Sequence, residues 1–220
     1  RKRPEELHFW SGEALSLPTP RIAVLGTDCA LGKRTTTRML VEACRGAGLR
    51  AEWLYTGQTG WLQGARYGFI LDATANDFVS GELEHAVVSC ARALSPDVIF
   101  LEGQSALRSP SGPCGSELIL SAGARGVVLQ HAPGRHFFDG LEERGCVVPP
   151  LEEEIQLVRL YGARTLALAL NGEGLAPEAL SAERDRLESR LRVPVALPLE
   201  EGVGRLLPAI REFLEQERAR

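Results

Sequence analysis

Short apolar and β-branched runs recur along the chain, and each is bounded by glycine, proline or polar residues. Runs of this length are typical of the buried strands of a parallel sheet. The pattern predicts strands at 21–26, 51–56, 97–102, 126–131, 165–171 and 193–196.

Between these runs, apolar residues recur at three- and four-residue spacing, which predicts helices. The helical segments are 33–47, 80–94, 152–161, 177–191 and 203–216. Because strands and helices alternate, we expect repeated βα units: an α/β fold with a doubly wound, mainly parallel sheet and helices on both faces.

The first twenty residues show neither pattern and contain Pro4, Pro18 and Pro20, which disfavour helix and sheet interiors. We predict an N-terminal arm or interdomain linker at 1–20 and one α/β domain at 21–220, since 220 residues suffice for one core. The chain opens at Arg1 rather than at a methionine, so a further N-terminal domain is left open.

Charge and composition narrow the function classes. A net charge of −4 and a pI near 5.7 oppose a broad electrostatic surface for nucleic acid or anionic lipid. The five cysteines lack zinc-site or disulfide-framework spacing and are typical of reduced thiols in a cytosol. No apolar run reaches the roughly 20 residues that span a bilayer. We therefore expect a soluble, cytoplasmic protein with a small-molecule substrate, and homo-oligomerisation is left open.

A glycine-rich turn joins the first predicted strand to the first predicted helix. Its backbone N–H groups, the helix dipole and the lysine ammonium would converge on an anion. The turn therefore predicts a phosphate site for a nucleotide-like ligand, although its glycines could also serve only a sharp bend. The turn consists of Gly26, Thr27, Asp28, Cys29, Ala30, Leu31, Gly32 and Lys33, and the next two residues, Arg34 and Thr35, are further candidates for binding the cofactor.

The turn departs from the standard G-x-x-x-x-G-K-[ST] pattern. Thr27 fills the first glycine position, and Arg34 stands where a magnesium-binding hydroxyl usually follows the lysine. Thr35 lies one residue further on, and one helical step rotates a side chain by about 100°. We expect phosphate binding without a required metal, which suits coenzyme A. If Mg²⁺ is used, Thr35 and Glu102 are its candidate ligands.

Polar residues at the carboxyl ends of the predicted strands are candidates for chemistry, because ligands of open α/β sheets bind there. Glu102 ends a buried run and is a candidate general base, with a helix cap or salt bridge as the structural alternative. Asp72 is a second candidate catalytic carboxylate, and Lys33 completes the catalytic candidates.

Other polar residues near strand ends are candidates for binding the substrate or cofactor. Asn171 is positioned to read a purine edge, although an Asn-Gly pair is also a common turn. A lone histidine at the end of a strand, such as His131, more often has a structural role. The segment 56–60 is equally compatible with a plain turn. The candidate substrate-binding residues are Thr56, Gln58, Thr59, Gln104, His131 and Arg135.

Two families share these motifs. The chain resembles dethiobiotin synthetase in the spacing of Gly26 from Gly32-Lys33 and in having Glu102-Gly103 after a buried strand. The pattern of that enzyme, however, has a threonine directly after the lysine. Four segments, at 26–36, 56–60, 100–105 and 131–135, resemble more closely the bacterial D-glutamate N-acetyltransferase family in order and spacing. That family joins an N-terminal α/β domain to a C-terminal P-loop domain, and its residue after the lysine is also not a hydroxyl.

The second resemblance implies a P-loop NTPase-like fold and transfer of an acetyl group from acetyl-coenzyme A to D-glutamate or a related D-amino acid. Lys33 and the turn amides would hold the coenzyme phosphates. Glu102 or Asp72 would remove a proton from the acceptor amine, and Arg135 or Gln58 would orient its carboxylate. The first resemblance implies an alternative, an ATP- and magnesium-dependent ligase or kinase. A non-catalytic nucleotide-binding module is a third hypothesis.

Overall fold

The computed structural model describes residues 4–219, and the described strands form one seven-stranded sheet. All neighbouring strands pair in parallel, in the order β3-β2-β4-β1-β5-β6-β7. The strands are β1 Arg21–Gly26, β2 Ala51–Tyr55, β3 Tyr67–Gly68, β4 Val98–Glu102, β5 Gly126–His131, β6 Arg164–Leu170 and β7 Val195–Ala196.

Helices connect the strands across both faces of the sheet. They are α1 Lys33–Gly46, α2 Gln58–Leu62, α3 Asn76–Leu94, α4 Ser116–Leu120, α5 Leu151–Leu160, α6 Pro177–Leu191, α7 Pro198–Glu201 and α8 Leu207–Arg218. Among residues 4–219, no helix combines the length and the apolar character that crossing a membrane requires. The predicted α/β fold is confirmed.

The sheet is buried on both faces, as the apolar strand runs predicted. In β1, Ala23 and Leu25 face one core, whereas Ile22 and Val24 face the other. The first core is closed mainly by α3, α4, α5 and α6, and the second by α1 and α8. Because side chains alternate across a strand, only an apolar run can serve both layers.

The central strand sets the position of the site. β1 lies between β4 and β5, with Val24 level with Glu102 and Gly26 level with Gln130. Parallel strands bring their carboxyl ends to one edge of the sheet. The turn after β1 therefore lies beside the ends of β4 and β5, and β2 ends on the far side of β4.

Several predicted boundaries were wrong. Helix α3 begins at Asn76 rather than at 80, and α8 begins at Leu207 rather than at 203, after a 3₁₀ turn at Gly204–Leu206. The predicted bounds of β1 and β5 are confirmed, whereas the ends of the other predicted strands differ by one or two residues, since apolar runs mark the buried centre of a strand better than its ends. The prediction missed β3, α2, α4 and α7, which are too short to show a period.

The N-terminal arm packs on α3 from His8 onward. The buried Glu84 accepts hydrogen bonds from the backbone N–H groups of Ser11, at 2.6 Å, and Ala14, at 3.1 Å. A Cβ on Gly81 would lie 1.9 Å from the carbonyl oxygen of His8, so only glycine permits this close approach. The arm is thus held against the domain by buried contacts.

Candidate functional site

A cavity of about 510 Å³ opens at the carboxyl edge of the sheet. Three loops form its walls: 29–35 after β1, 57–59 after β2 and 102–105 at the end of β4. The cavity therefore joins the glycine-rich turn to polar residues that are distant in sequence.

The turn after β1 presents its backbone to this cavity. Gly32 is the N-cap of α1, with φ 98°, and no side chain caps the helix. First-turn N–H groups of an uncapped helix are free to bind an anion, and the helix dipole favours negative charge there. The local geometry therefore suits a phosphate.

Lys33 lies across the turn and supplies its positive charge. Its Nζ donates a hydrogen bond to the carbonyl oxygen of Asp28 at 2.6 Å. Burial lowers the pKa of Lys33 from 10.5 to about 8, while the nearby Cys29 and Asp28 act in the opposite direction. A bound phosphate would favour the charged lysine, so ligand binding and protonation of Lys33 support each other.

The buried Asp28 gives the turn its shape. Its carboxylate accepts hydrogen bonds from the backbone N–H groups of Cys29 and Asp139, at 2.6 and 2.8 Å. Arg135 donates to the same carboxylate and to the carbonyl oxygen of Cys29, both at 2.8 Å, and also pairs with Glu173. These interactions use the Arg135 guanidinium to hold the turn.

Glu102 brings a buried carboxylate to the cavity. The residue is 3% exposed, and its Oε2 atom has no hydrogen-bond partner. Burial raises the pKa of Glu102 from 4.5 to about 7, which the charge of Arg34 and the indole of Trp53 partly oppose. A Cβ on Gly60 would lie 2.6 Å from Oε2, so a glycine in α2 makes room for this carboxylate. The Glu102 carboxylate therefore lies at the cavity and has a pKa that allows it to exchange a proton near neutral pH.

Residues 8–207 match the P-loop domain of the domain of unknown function DUF1611 (DUF1611_C). The chain belongs to the DUF1611 family. Because this match spans most of the chain, the predicted family relationship is confirmed, and the turn at 26–33 is the P-loop of a DUF1611 domain.

Two curated relatives are named D-glutamate N-acetyltransferase. The protein from Tritonibacter scottomollicae is 30% identical over 203 residues, covering 86% of this chain and 57% of the relative. The protein from a Pseudoalteromonas species is 27% identical over 212 residues, covering 90% of this chain and 60% of the relative. The chain thus spans less than two thirds of the length of both.

A crystal structure of a DUF1611 family protein from Anabaena variabilis has the same fold. It superposes with a TM-score of 0.87 at 29% identity, covering 96% of this chain and 63% of the crystallised one. The DUF1611 fold therefore extends over nearly all of the present chain.

The DUF1611 cavity brings together many of the residues that the motifs singled out. Those that line it are Cys29, Ala30, Leu31, Gly32, Lys33, Arg34, Thr35, Gln58, Thr59, Glu102 and Gln104. Thr56 lies beneath them, where its hydroxyl donates to the carbonyl oxygen of Glu102 at 2.8 Å and accepts from Gln104 at 3.0 Å. Thr56 therefore supports this wall of the cavity.

Other predicted site residues lie behind the turn or away from it. Gly26, Thr27 and Asp28 are buried under the cavity floor, and Thr27 shares a 3.0 Å hydrogen bond with Nδ1 of His131. His131 does not line the cavity, and loss of hydration lowers its pKa to about 4. Asp72 is exposed in a 3₁₀ turn and is also absent from the lining.

Three of the candidate site residues lie outside the lining of this cavity. The geometry does not place Asp72, His131 or Arg135 among the groups that line the cavity. Arg135 and His131 instead support the turn through Asp28 and Thr27. The physical reason is that a strand end can direct a polar side chain toward a neighbouring loop as well as toward solvent.

Asn171 lies on the other side of the P-loop. Its amide donates to the carbonyl oxygen of Leu31 at 3.1 Å, and it lines a second cavity of about 90 Å³ with Thr36, Gln130 and Glu200. This cavity shares Ala30, Leu31, Gly32 and Thr35 with the larger one, so the two adjoin across the turn.

Three lining positions belong to the motif segments at 56–60 and 100–105 but were not among the candidate site residues, namely Gly57, Gly103 and Ser105. Gly103 has a clear structural reason, because a Cβ there would lie 2.3 Å from the carbonyl oxygen of Val24. A glycine directly after a buried strand was the available signal.

Proposed function

We propose that this chain is the P-loop domain of an N-acetyltransferase that uses acetyl-coenzyme A and acts on D-glutamate or a related D-amino acid. The observation that carries the proposal is the buried carboxylate of Glu102, whose Oε2 atom has no hydrogen-bond partner, in the same cavity as the phosphate-binding turn. The names of the two curated relatives support the same chemistry.

The donor groups of the turn fit coenzyme A. Uncapped N–H groups and the Lys33 ammonium suit its phosphates, and the Asn171 amide beside the smaller cavity suits the edge of its purine. Coenzyme A, when acetylated, supplies the acetyl group as a thioester. The protein then has to hold the acceptor amine, remove its proton and exclude water.

Glu102 is suited to removing that proton. A general base is most effective when its pKa is close to the working pH, and burial brings the pKa of Glu102 to about 7. The acceptor ammonium would supply the missing partner of Oε2, which would bring the amine to the base before proton transfer. The polar side chains of Gln58 and Gln104 line the same cavity and would orient the acceptor.

The ATP- and magnesium-dependent ligase is the second candidate. One observation favours it: Thr35 and Glu102, the candidate magnesium ligands, line the same cavity. Within residues 4–219, no group of three or more His, Cys, Asp or Glu side chains is arranged for a metal ion. A magnesium ion here would therefore draw on these two residues and on nucleotide phosphates.

The test is release of free thiol from acetyl-coenzyme A by the full-length protein with a panel of D-amino acids. We expect release with D-glutamate, abolished by Lys33→Ala and by Glu102→Gln but retained by Glu215→Gln, a change at an exposed position of α8. Background thiol release across the panel would overturn the proposal. Formation of ADP from ATP and Mg²⁺ in parallel reactions would then favour the ligase.

A further inference from the structure

Arg34 brings an uncommitted cation to the cavity. It stands in the first turn of α1, lines the cavity and is half-buried. Its Nε atom is buried and has no hydrogen-bond partner. A buried N–H group without a partner is costly, and an acceptor supplied by a ligand would remove that cost.

The arginine first expected to bind a carboxylate is not available for this role. Arg135 is engaged by Asp28, by Glu173 and by the carbonyl oxygen of Cys29, and its side chain is 11% exposed. Arg34 lines the cavity, whereas Arg135 does not.

The charge of Arg34 acts on the Glu102 side of the cavity. Arg34 opposes the burial-driven rise in the pKa of Glu102 more strongly than Lys33 does. Lys33 instead points its Nζ at the carbonyl oxygen of Asp28, within the phosphate-binding turn. The cavity therefore has two charged regions. One contains the Lys33 ammonium and the main-chain amides of the turn, and the other contains the Arg34 guanidinium and the Glu102 carboxylate.

A guanidinium and a carboxylate that line the same cavity are complementary to a zwitterion. An amino acid carries an ammonium and at least one carboxylate, and a guanidinium binds a carboxylate with two parallel hydrogen bonds. Arg34 also occupies the position where the standard P-loop pattern has a hydroxyl for magnesium. Arg34 therefore places a fixed positive charge at the position where the standard pattern has a side chain that binds Mg²⁺.

We propose that Arg34 is a specificity-determining residue that binds a carboxylate of the amino-acid acceptor while Glu102 receives its ammonium group. This inference rests on the proposed function and identifies the acceptor class as an anionic amino acid. Either the α-carboxylate or the side-chain carboxylate of D-glutamate has the required chemistry.

The test measures binding as well as turnover, with the full-length protein. Calorimetry gives the affinity for coenzyme A, and then for D-glutamate in the presence of coenzyme A. For Arg34→Gln we expect an unchanged affinity for coenzyme A, D-glutamate binding weakened roughly 10- to 100-fold, and partial recovery in Arg34→Lys. In the acetyl-transfer assay, at a pH high enough to keep Glu102 ionised in both proteins, the change should appear in KM more than in kcat.

The matched control is Arg38→Gln on the same helix. Arg38 is exposed and pairs with Glu42 at 3.4 Å, away from the cavity lining, so both affinities should stay unchanged. Thermal unfolding of each variant checks that the fold is retained.

Two amides of the acceptor identify the carboxylate that Arg34 binds. D-Glutamine lacks the side-chain carboxylate, and the α-amide of D-glutamate lacks the other. One of the two amides lacks the carboxylate that Arg34 binds. The wild-type protein should bind that amide as weakly as the Arg34→Gln variant binds D-glutamate. The variant should bind that amide and D-glutamate with equal affinity.

The outcomes separate this inference from the proposed function. If Arg34→Gln binds coenzyme A more weakly and D-glutamate unchanged, Arg34 is a phosphate ligand. That result would overturn this inference but not the proposed function. Absence of thiol release by the wild-type protein would overturn the proposed function, whereas D-glutamate affinity that depends on Arg34 would still support this assignment.

Discussion

The ammonium of Lys33 donates a hydrogen bond to the backbone carbonyl of Asp28 over 2.6 Å, so the lysine folds back across the turn that precedes it. Gly26 forms the surface on which this side chain lies, because a Cβ there would be 3.0 Å from Cδ and 3.1 Å from Nζ of Lys33. The positive charge is therefore positioned by the turn itself.

Replacing Gly26 with alanine should displace Lys33 without unfolding the domain, because the two nearest atoms belong to the flexible Lys33 side chain and the nearest backbone atom, the carbonyl oxygen of Asp28, is 3.3 Å away. We expect coenzyme A affinity to fall about tenfold, a loss typical of a charged hydrogen bond, as measured by calorimetry. Gly46→Ala is the matched control, since a Cβ there meets nothing within 4 Å. Equal affinities in the two variants would contradict this account of Gly26.

Arg135→Ala should destabilise the protein by about 3 kcal/mol or more, because it leaves the buried Asp28 carboxylate without its cation. The measurement is chemical denaturation. Arg125→Ala removes an exposed pair with Glu217 and should cost less than about 1 kcal/mol. If the two variants lose similar stability, Arg135 does not hold the turn in the manner described.

The rate of acetyl transfer should increase with pH up to about 7 and then level off. The reason is that Glu102 must lose its proton to act as a base, and burial raises its pKa to about 7. A profile of kcat/KM from pH 5.5 to 8 tests this expectation. A flat profile over that range would remove Glu102 from the role of base.

Affinity for coenzyme A should decrease above pH 8, because Lys33 has a pKa of about 8 in the free protein and only its charged form attracts phosphate. A Lys33→Arg variant keeps its charge at high pH, so its affinity should change little between pH 7 and 9. Calorimetry at both pH values makes the comparison. A wild-type affinity that is constant over this range would contradict the assignment.

Glu102→Gln should stabilise the protein, and the gain should grow as the pH rises from about 4.5 to 7. In this window the folded state keeps the Glu102 proton that the unfolded state loses, so wild-type stability falls with rising pH. The full gain above pH 7 is on the order of 3 kcal/mol. Denaturation at pH 5, 6 and 7.5 measures it.

His131 has the opposite dependence and provides an internal check. Its folded-state pKa of about 4 lies below the ordinary 6.5, so its contribution to stability rises with pH between those values. The two effects offset each other in the wild type, so stability of Glu102→Gln should increase with pH more steeply than that of the wild type. A parallel dependence in the two proteins would count against the Glu102 shift. A Glu102→Gln stability that does not rise between pH 4 and 6.5 would count against the His131 shift.

The sequence alone was sufficient for the α/β fold and for locating the glycine-rich turn between β1 and α1, because both depend on local patterns. Apolar runs specify strands that are buried on both faces, and their alternation with helices specifies a parallel sheet. The turn at 26–33 joins the end of β1 to the start of α1, so its place in the chain is set locally, although Arg135, Asp139 and His131 hold its shape. Elements shorter than one or two periods, such as β3 and α7, carried too weak a pattern.

Only the tertiary structure decided which polar residues face the cavity. Arg135 and His131 follow a strand as Glu102 does, yet they pair with Asp28 and Thr27 beneath the turn. Arg34 and Glu102 share a cavity because β4 lies next to β1 in the sheet. A polar side chain at a strand end can form its hydrogen bonds within the protein or remain available to a ligand. The outcome depends on segments that meet only when the chain folds, so residue spacing along the sequence does not predict it.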